Sequence, residues 1–293
     1  MSFWDIFHQS YMDIMYLIFT WIVGQFTLDP QIYFMGMWIL YVIPLVYALK
    51  RMFTSWQSVA VFFTFANFVF FYAYAMNTIR QGIAVTFILL GLTFLFREEN
   101  GKKKVISLLI APLFHWTGWP FMAIVAFFSK YNIRLRTLLL WWAIFAALFA
   151  TNLNATVMNP VSGLIPKMDT YTADWVVTAY GNKLNRIDFL AFSFLWIVVS
   201  LLLYKFLHRD ETYKKMIKIY IAFNIPFLLL GFLPFADRIT IYSWILIPIL
   251  IWYPIFNTKR KNRPLIILGI IVSLLIGWYT DSVHHYDPFT LFY

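Results

Sequence analysis

The stretch VISLLIAPLFHWTGWPFMAIVAFF, residues 105–128, decides how the chain is threaded. It is one apolar run with basic residues at both ends: Lys102, Lys103 and Lys104 before it, Lys130, Arg134 and Arg136 after it. About 20 apolar residues suffice to cross a bilayer as a helix. Crossed once, this run would put its two basic clusters on opposite sides of the membrane and invert every later loop. Short cytoplasmic loops carry the excess of Lys and Arg, so both clusters belong inside. The run is therefore expected to fold as a hairpin turning near His115. Pro112 and Pro120 would interrupt a straight helix. Each limb has only about 10–14 residues, roughly 15–21 Å of helix, too short for a full crossing. Non-helical backbone at membrane depth is tolerated only against protein or a water-filled cavity. His115 is expected on the floor of an extracytoplasmic cavity.

The rest of the chain agrees with a membrane reading. It is 62% hydrophobic, 22% aromatic and only 12% charged, with a mean hydropathy of +0.72, where a soluble domain carries about 25% charged residues. Further helices are expected near 14–28, 33–49, 57–76, 82–96, 137–152, 187–204, 217–233, 239–256 and 264–280. The apolar runs lack the alternation of a β-barrel. The expected fold is a single all-α polytopic integral membrane domain over 1–293, with about ten or eleven transmembrane helices including the short hairpin. One long extracytoplasmic loop runs from about 152 to 186, and its length and aromatic content favour an ordered lid. Met1 to Asp13 contains no Lys or Arg, so no charged signal-peptide start is read there. The absence of cysteine excludes disulfides, thiolate metal sites and cysteine nucleophiles. The net charge of +10 reflects topology, not a nucleic-acid partner.

With the five basic clusters at 50–51, 97–104, 130–136, 205–218 and 259–263 inside, 18 of the 23 Lys and Arg are cytoplasmic. Topology leaves Arg80, Lys167, Lys183, Arg186 and Arg238 outside. An arginine near hydrocarbon costs on the order of 2.5–3.5 kcal/mol, which makes it a functional candidate. Guanidinium is also the side chain best shaped for bidentate phosphate binding. Arg80 follows Asn77 and precedes Gln81 at an expected helix start near Thr78, where free N–H groups also favour an anion. The plain alternative is an arginine snorkelling to the interface or pairing with Asp237. His115 lies beside Trp116 and Thr117, and its imidazole could take a proton from a sugar hydroxyl; the alternative is a histidine satisfied within the bundle. Asp237 and Arg238, with Tyr242 one turn on, form either a local ion pair or a second phosphate ligand with a carboxylate to orient it. Lys183 and Arg186 are substrate candidates or solvated loop charges. The tail from Asp281 to Asp287, with His284 and His285, lacks metal-site spacing, so no metal or other cofactor is expected.

The string Asn77-Thr78-Ile79-Arg80-Gln81-Gly82-Ile83-Ala84, the basic turn after it, Phe114-His115-Trp116-Thr117, and Asp237-Arg238 before an aromatic helix together resemble the EpsG family of Wzy-like polymerases. The strongest likeness runs from about Asn67 to Phe128. The resemblance implies a metal-independent membrane glycosyltransferase that joins undecaprenyl-pyrophosphate-linked oligosaccharide repeat units of O-antigen, capsule or exopolysaccharide. It would work at the extracytoplasmic face of the bacterial inner membrane, with membrane lipids around it and a chain-length regulator and a flippase as candidate partners. Arg80 and Arg238 would stabilise the leaving pyrophosphate, His115 or Asp237 would serve as base, and Asn77, Gln81, Trp116, Thr117, Tyr242, Lys183 and Arg186 would contact substrate. A flippase or exporter gripping the same head group, and an acyltransferase using His115, are the competing readings.

Overall fold

The computed structural model describes residues 13–99, 101–160, 175, 178, 184–234, 236–258 and 263–284. The regular structure among these residues is helical, with no strand among them. Four helices are long and apolar enough to cross a membrane, or five if one sharply bent pair counts as a span, and three shorter apolar helices accompany them among the described residues. The chain is an all-α, multi-pass membrane protein. Contacts group it into two compact units, residues 1–126 with 251–293, and residues 127–250.

In the first unit α1 is Ile14–Gly24, α2 Pro30–Met52, α3 Ser55–Asn67, α4 Val69–Met76, α5 Ile79–Phe96 and α6 Lys102–Phe114. Helix α5 is the centre: apolar on every side, it is buried along nearly its whole length. It packs against α2, α4 and α6. Glycine makes one of these approaches feasible, because a Cβ at Gly82 would stand 2.5 Å from the Tyr74 carbonyl oxygen. Helix α2 opens on Asp29, which accepts from the Gln31 N–H at 2.8 Å, with Pro30 at the first helical position. Its last turn carries Lys50 and Arg51, where cations suit the dipole. Ile32, Met35, Trp38, Ile39 and Ile43 are exposed along it; in a membrane these are lipid-facing. A turn binds the far ends of α2 and α5: Arg51 donates to Glu99 Oε2 at 2.5 Å and to Thr93 Oγ1 at 2.9 Å, while Arg97 donates to the other Glu99 oxygen at 2.7 Å.

The expected hairpin run is broken where the sequence placed the turn. Helix α6 ends at Phe114, His115 is its extended C-cap, and α7, Gly118–Lys130, begins three residues later. Both limbs have 13 residues. The prolines flank the break and do not form it. Pro112 stays inside α6, and Pro120 sits in the first turn of α7, where no intrahelical N–H is required. The turn is tight, since a Cβ on Gly118 would meet the Pro112 nitrogen at 2.8 Å and the Ala111 carbonyl carbon at 3.0 Å. The helix expected at 57–76 is likewise divided into α3 and α4, bent by 79°. No proline or glycine announces that bend; extended backbone at Phe68 makes it, and the Asn67 amide takes up the Phe63 carbonyl at 2.8 Å.

The second unit holds α8 Leu135–Ala150, the short α9 Leu153–Met158, α10 Ile187–Phe206, α11 Glu211–Leu230 and α12 Asp237–Trp244. Helix α13, Ile247–Asn257, begins in this unit and ends in the first, to which α14, Arg263–His284, belongs. Here α11 is central, packing against α8, α9, α10 and α12. Asp210 caps it by accepting from the Tyr213 N–H at 3.0 Å, which starts the helix earlier than hydropathy alone suggests. The two ends of the long loop are tied together by three asparagines. Asn185 Nδ2 donates to Asn152 Oδ1 at 2.7 Å and to Asn154 Oδ1 at 3.0 Å, while Asn154 Nδ2 donates to Asn185 Oδ1 at 2.8 Å and to the Leu228 carbonyl at 3.1 Å. The Asn185 N–H reaches the Gly231 carbonyl at 2.8 Å, which anchors the loop base beside the turn leading to α12. Asn152 and Asn185 both have positive φ, a conformation asparagine tolerates better than most residues.

Candidate functional site

Arg80 is the second residue of α5, whose N-cap is Thr78, so it stands in the helix's first turn as expected. Its Nη1 donates to Asp13 Oδ2 at 3.0 Å, and its guanidinium carbon lies 4.9 Å from the centroid of the Tyr16 ring. The carboxylate paired with Arg80 is thus Asp13, not the Asp237 considered from sequence. The other Asp13 oxygen, Oδ1, accepts the Trp116 N–H at 3.1 Å. One carboxylate therefore joins the start of α1, the start of α5 and the α6–α7 turn.

A second link runs parallel to the first. Gln81, only 1% exposed, donates from Nε2 to Thr117 Oγ1 at 3.2 Å. Thr117 is also buried, and its Oγ1 lies 2.7 Å from His115 Nδ1. The half-buried imidazole stacks against the Trp116 indole with centroids 6.2 Å apart and planes inclined by 26°. Of the sequence candidates, the structure gathers Arg80, Gln81, His115, Trp116 and Thr117 in one neighbourhood of the first unit. Asn77 is exposed at the C-cap of α4, three residues before Arg80.

The remaining candidates belong to the second unit. Arg238 is half-buried in the first turn of α12, which Asp237 opens. Tyr242, one turn on, is fully buried. Arg186, the N-cap residue of α10, is ion-paired with Asp188, and its guanidinium carbon sits 3.9 Å from the Phe189 ring centroid. Lys183 lies outside the described residues, as do most of the loop and the tail from His285. Among the described residues no three His, Asp or Glu side chains are grouped to hold a metal ion.

Sequence reading missed Asp13. The available signal was general: an arginine held near hydrocarbon calls for an anionic partner. Several acidic residues have the charge to serve as that partner.

The EpsG family model matches residues 2–291, across both compact units. The chain belongs to the EpsG family. No curated protein and no solved structure matches it. EpsG membership points to polysaccharide biosynthesis as the process this multi-pass protein serves.

Proposed function

We propose that this EpsG-family protein is a polysaccharide polymerase that joins lipid-pyrophosphate-linked oligosaccharide repeat units by glycosyl transfer at the extracytoplasmic face of the inner membrane. The acceptor sugar hydroxyl attacks the anomeric carbon of the donor, a new carbon–oxygen bond forms, and the bond to the pyrophosphate oxygen breaks. The hydroxyl proton goes to His115, and the electron pair leaves with the lipid pyrophosphate. Direct attack inverts the anomeric centre. Donor and acceptor are both undecaprenyl-pyrophosphate-linked.

The observation that supports this reading most is the convergence of Arg80 with the His115 turn through Asp13 Oδ1 and Oδ2. A departing diphosphate gains negative charge in the transition state, and a preorganised guanidinium aimed there is worth several kcal/mol, about 2.7–4 in comparable single-donor deletions. For neutral His115 to accept a proton at Nε2, Nδ1 must carry the ring hydrogen, and Thr117 Oγ1 at 2.7 Å is placed to accept it. Gln81, donating to that same oxygen, holds it in place. Arg238, with Asp237 beside it, enters as a further pyrophosphate ligand on the sequence pattern alone. Asn77, Trp116, Tyr242, Lys183 and Arg186 stand as substrate contacts on the same footing.

The test is made in cells. Arg80→Lys keeps a positive charge but loses the fork. Loss of a polymerase leaves single repeat units on the surface, and that is the expected phenotype. A surface with no repeat units would make the protein a flippase or exporter. Full-length chains lacking acyl groups would make it an acyltransferase.

A further inference from the structure

We infer that Asp13 is a positioning residue for this site: it holds the Arg80 guanidinium against the His115 turn while leaving open the guanidinium edge that fits a phosphate. The inference rests on the polymerase reading above.

The first observation is what Asp13 gives up. It is the N-cap residue of α1, where an aspartate ordinarily accepts a hydrogen bond from an N–H of the first turn, yet its side chain caps nothing. The carboxylate is committed elsewhere, to Arg80 and to the Trp116 N–H. The two bonds use different oxygens, so the carboxylate acts as a rigid spacer between a helix start and a turn.

The second observation is which nitrogen it takes. Asp13 bonds Nη1. The Nε–H and Nη2–H groups form the side edge of the guanidinium, two parallel donors that match two oxygens of a carboxylate or phosphate. Among the described residues Arg80 makes no hydrogen bond other than that to Asp13. Tyr16 covers a face of the guanidinium without contacting that edge as a hydrogen-bond partner. Arg80 keeps 34% side-chain exposure against 15% for Asp13, so the cation is more accessible than its partner. A phosphate can dock on the Nε/Nη2 edge without displacing the carboxylate.

Two effects of the carboxylate then oppose each other. Its negative charge repels an incoming diphosphate, while its bonds fix the guanidinium and the base-bearing turn in one geometry. A misplacement of about 1 Å at a reacting centre can cost on the order of 10²-fold in rate. The repulsion is that of a charge already paired with Arg80. Positioning wins.

The experiment uses the full chain in lipid nanodiscs, with lipid-linked repeat units extracted from a strain deleted for this gene as donor and acceptor. Initial polymerisation rates are measured for the wild type, Asp13→Asn, Asp13→Glu, Arg80→Gln and the Asp13→Asn/Arg80→Gln pair. Asp13→Asn is expected to lower kcat by about 10–100-fold with a change in KM below about threefold. Asp13→Glu, which can still span both partners, is expected to recover most of the rate. On the Arg80→Gln background the Asn substitution is expected to add less than about twofold, because the coupled partner is already gone. An Asp13→Asn enzyme as fast as the wild type or faster overturns the inference, as does an undiminished effect on the Arg80→Gln background. Loss confined to the yield of folded protein, with unchanged specific activity, also overturns it. If the wild type joins no repeat units, the polymerase reading falls and this role with it. If the wild type works and Arg80→Gln fails while Asp13→Asn is indifferent, only the role of Asp13 falls.

Discussion

Thr117 Oγ1 lies 2.7 Å from His115 Nδ1, and the same oxygen accepts the Gln81 amide at 3.2 Å. In the proposed mechanism Nε2 is the base, Nδ1 carries the ring hydrogen, and this oxygen accepts it in preference to the longer 3.4 Å approach of the Thr117 N–H to the same nitrogen. Thr117→Val, which keeps the shape and loses the oxygen, should lower the polymerisation rate at saturating donor by about 10-fold or more, within the range general-base catalysis contributes. Thr117→Ser should keep most of it. Initial rates at saturating donor, measured side by side for the wild type, Val and Ser proteins, check this. Equal rates for Val and the wild type would remove His115 from the role of oriented base.

Gly82 is where the α5 backbone meets α4. An alanine Cβ there would lie 2.5 Å from the Tyr74 carbonyl oxygen and 3.1 Å from the Tyr41 ring, and the closest of these atoms is backbone, which yields least. Gly82→Ala is expected to destabilise the protein by about 1–3 kcal/mol, the usual penalty for overpacking a dense interior. The displacement falls two residues from Arg80, so activity should fall further than stability. Thermal unfolding in detergent, read beside specific activity, separates the two.

The asparagine clamp predicts a different signature. Asn154 is fully buried, and both of its amide atoms bond to Asn185. Asn154→Ala removes the donor to the Leu228 carbonyl and to Asn185 Oδ1, while Asn185 Nδ2 keeps Asn152, at about 1–3 kcal/mol for each polar group left unsatisfied. Hydrogen–deuterium exchange should quicken at the Asn185 N–H, now bonded to the Gly231 carbonyl. Asn185→Gly keeps access to the positive φ of 46° but removes the amide. It should therefore be milder than Asn185→Ala, which loses both.

On the basic side of the first unit, the hydrogen bond from Arg51 holds the Glu99 carboxyl below its ordinary value of 4.5, with desolvation opposing and Arg97 adding to the same effect. A carboxylate with a lowered pKa contributes stability above its unfolded value and loses it as pH falls through the folded one. Wild type and Glu99→Gln should therefore differ in unfolding temperature at neutral pH and converge below about pH 4.5, the ordinary value. Because Glu99 is well exposed, raising the salt concentration should narrow the difference. A gap that persists at low pH would mean the carboxylate charge does not matter there.

Some of this was legible in the residues. The break at His115 followed from basic clusters at both ends of one run, and the helix start beside Arg80 followed from the polar string Asn77 to Gln81 between apolar stretches. The prolines were misleading: both fit inside or at the start of a helix, and the extended His115 and the close approach at Gly118 make the turn. The bend between α3 and α4 carried no sequence signal, since it rests on one extended residue and an amide-to-carbonyl bond.

Sequence alone determined that the chain lives in a membrane as helices, where its long apolar run breaks, and which family it belongs to. Those properties depend on composition and on patterns a few residues long. Only the tertiary structure decided that Asp13 meets Arg80, 67 positions away, that the same carboxylate reaches Trp116 across 103, and that Gln81 supports Thr117 across 36. Several acids and amides in this sequence have the chemistry for those bonds. Which of them makes each bond is fixed by how α1, α5 and the α6–α7 turn pack, because a hydrogen bond acts over about 3 Å and a sequence carries no distances.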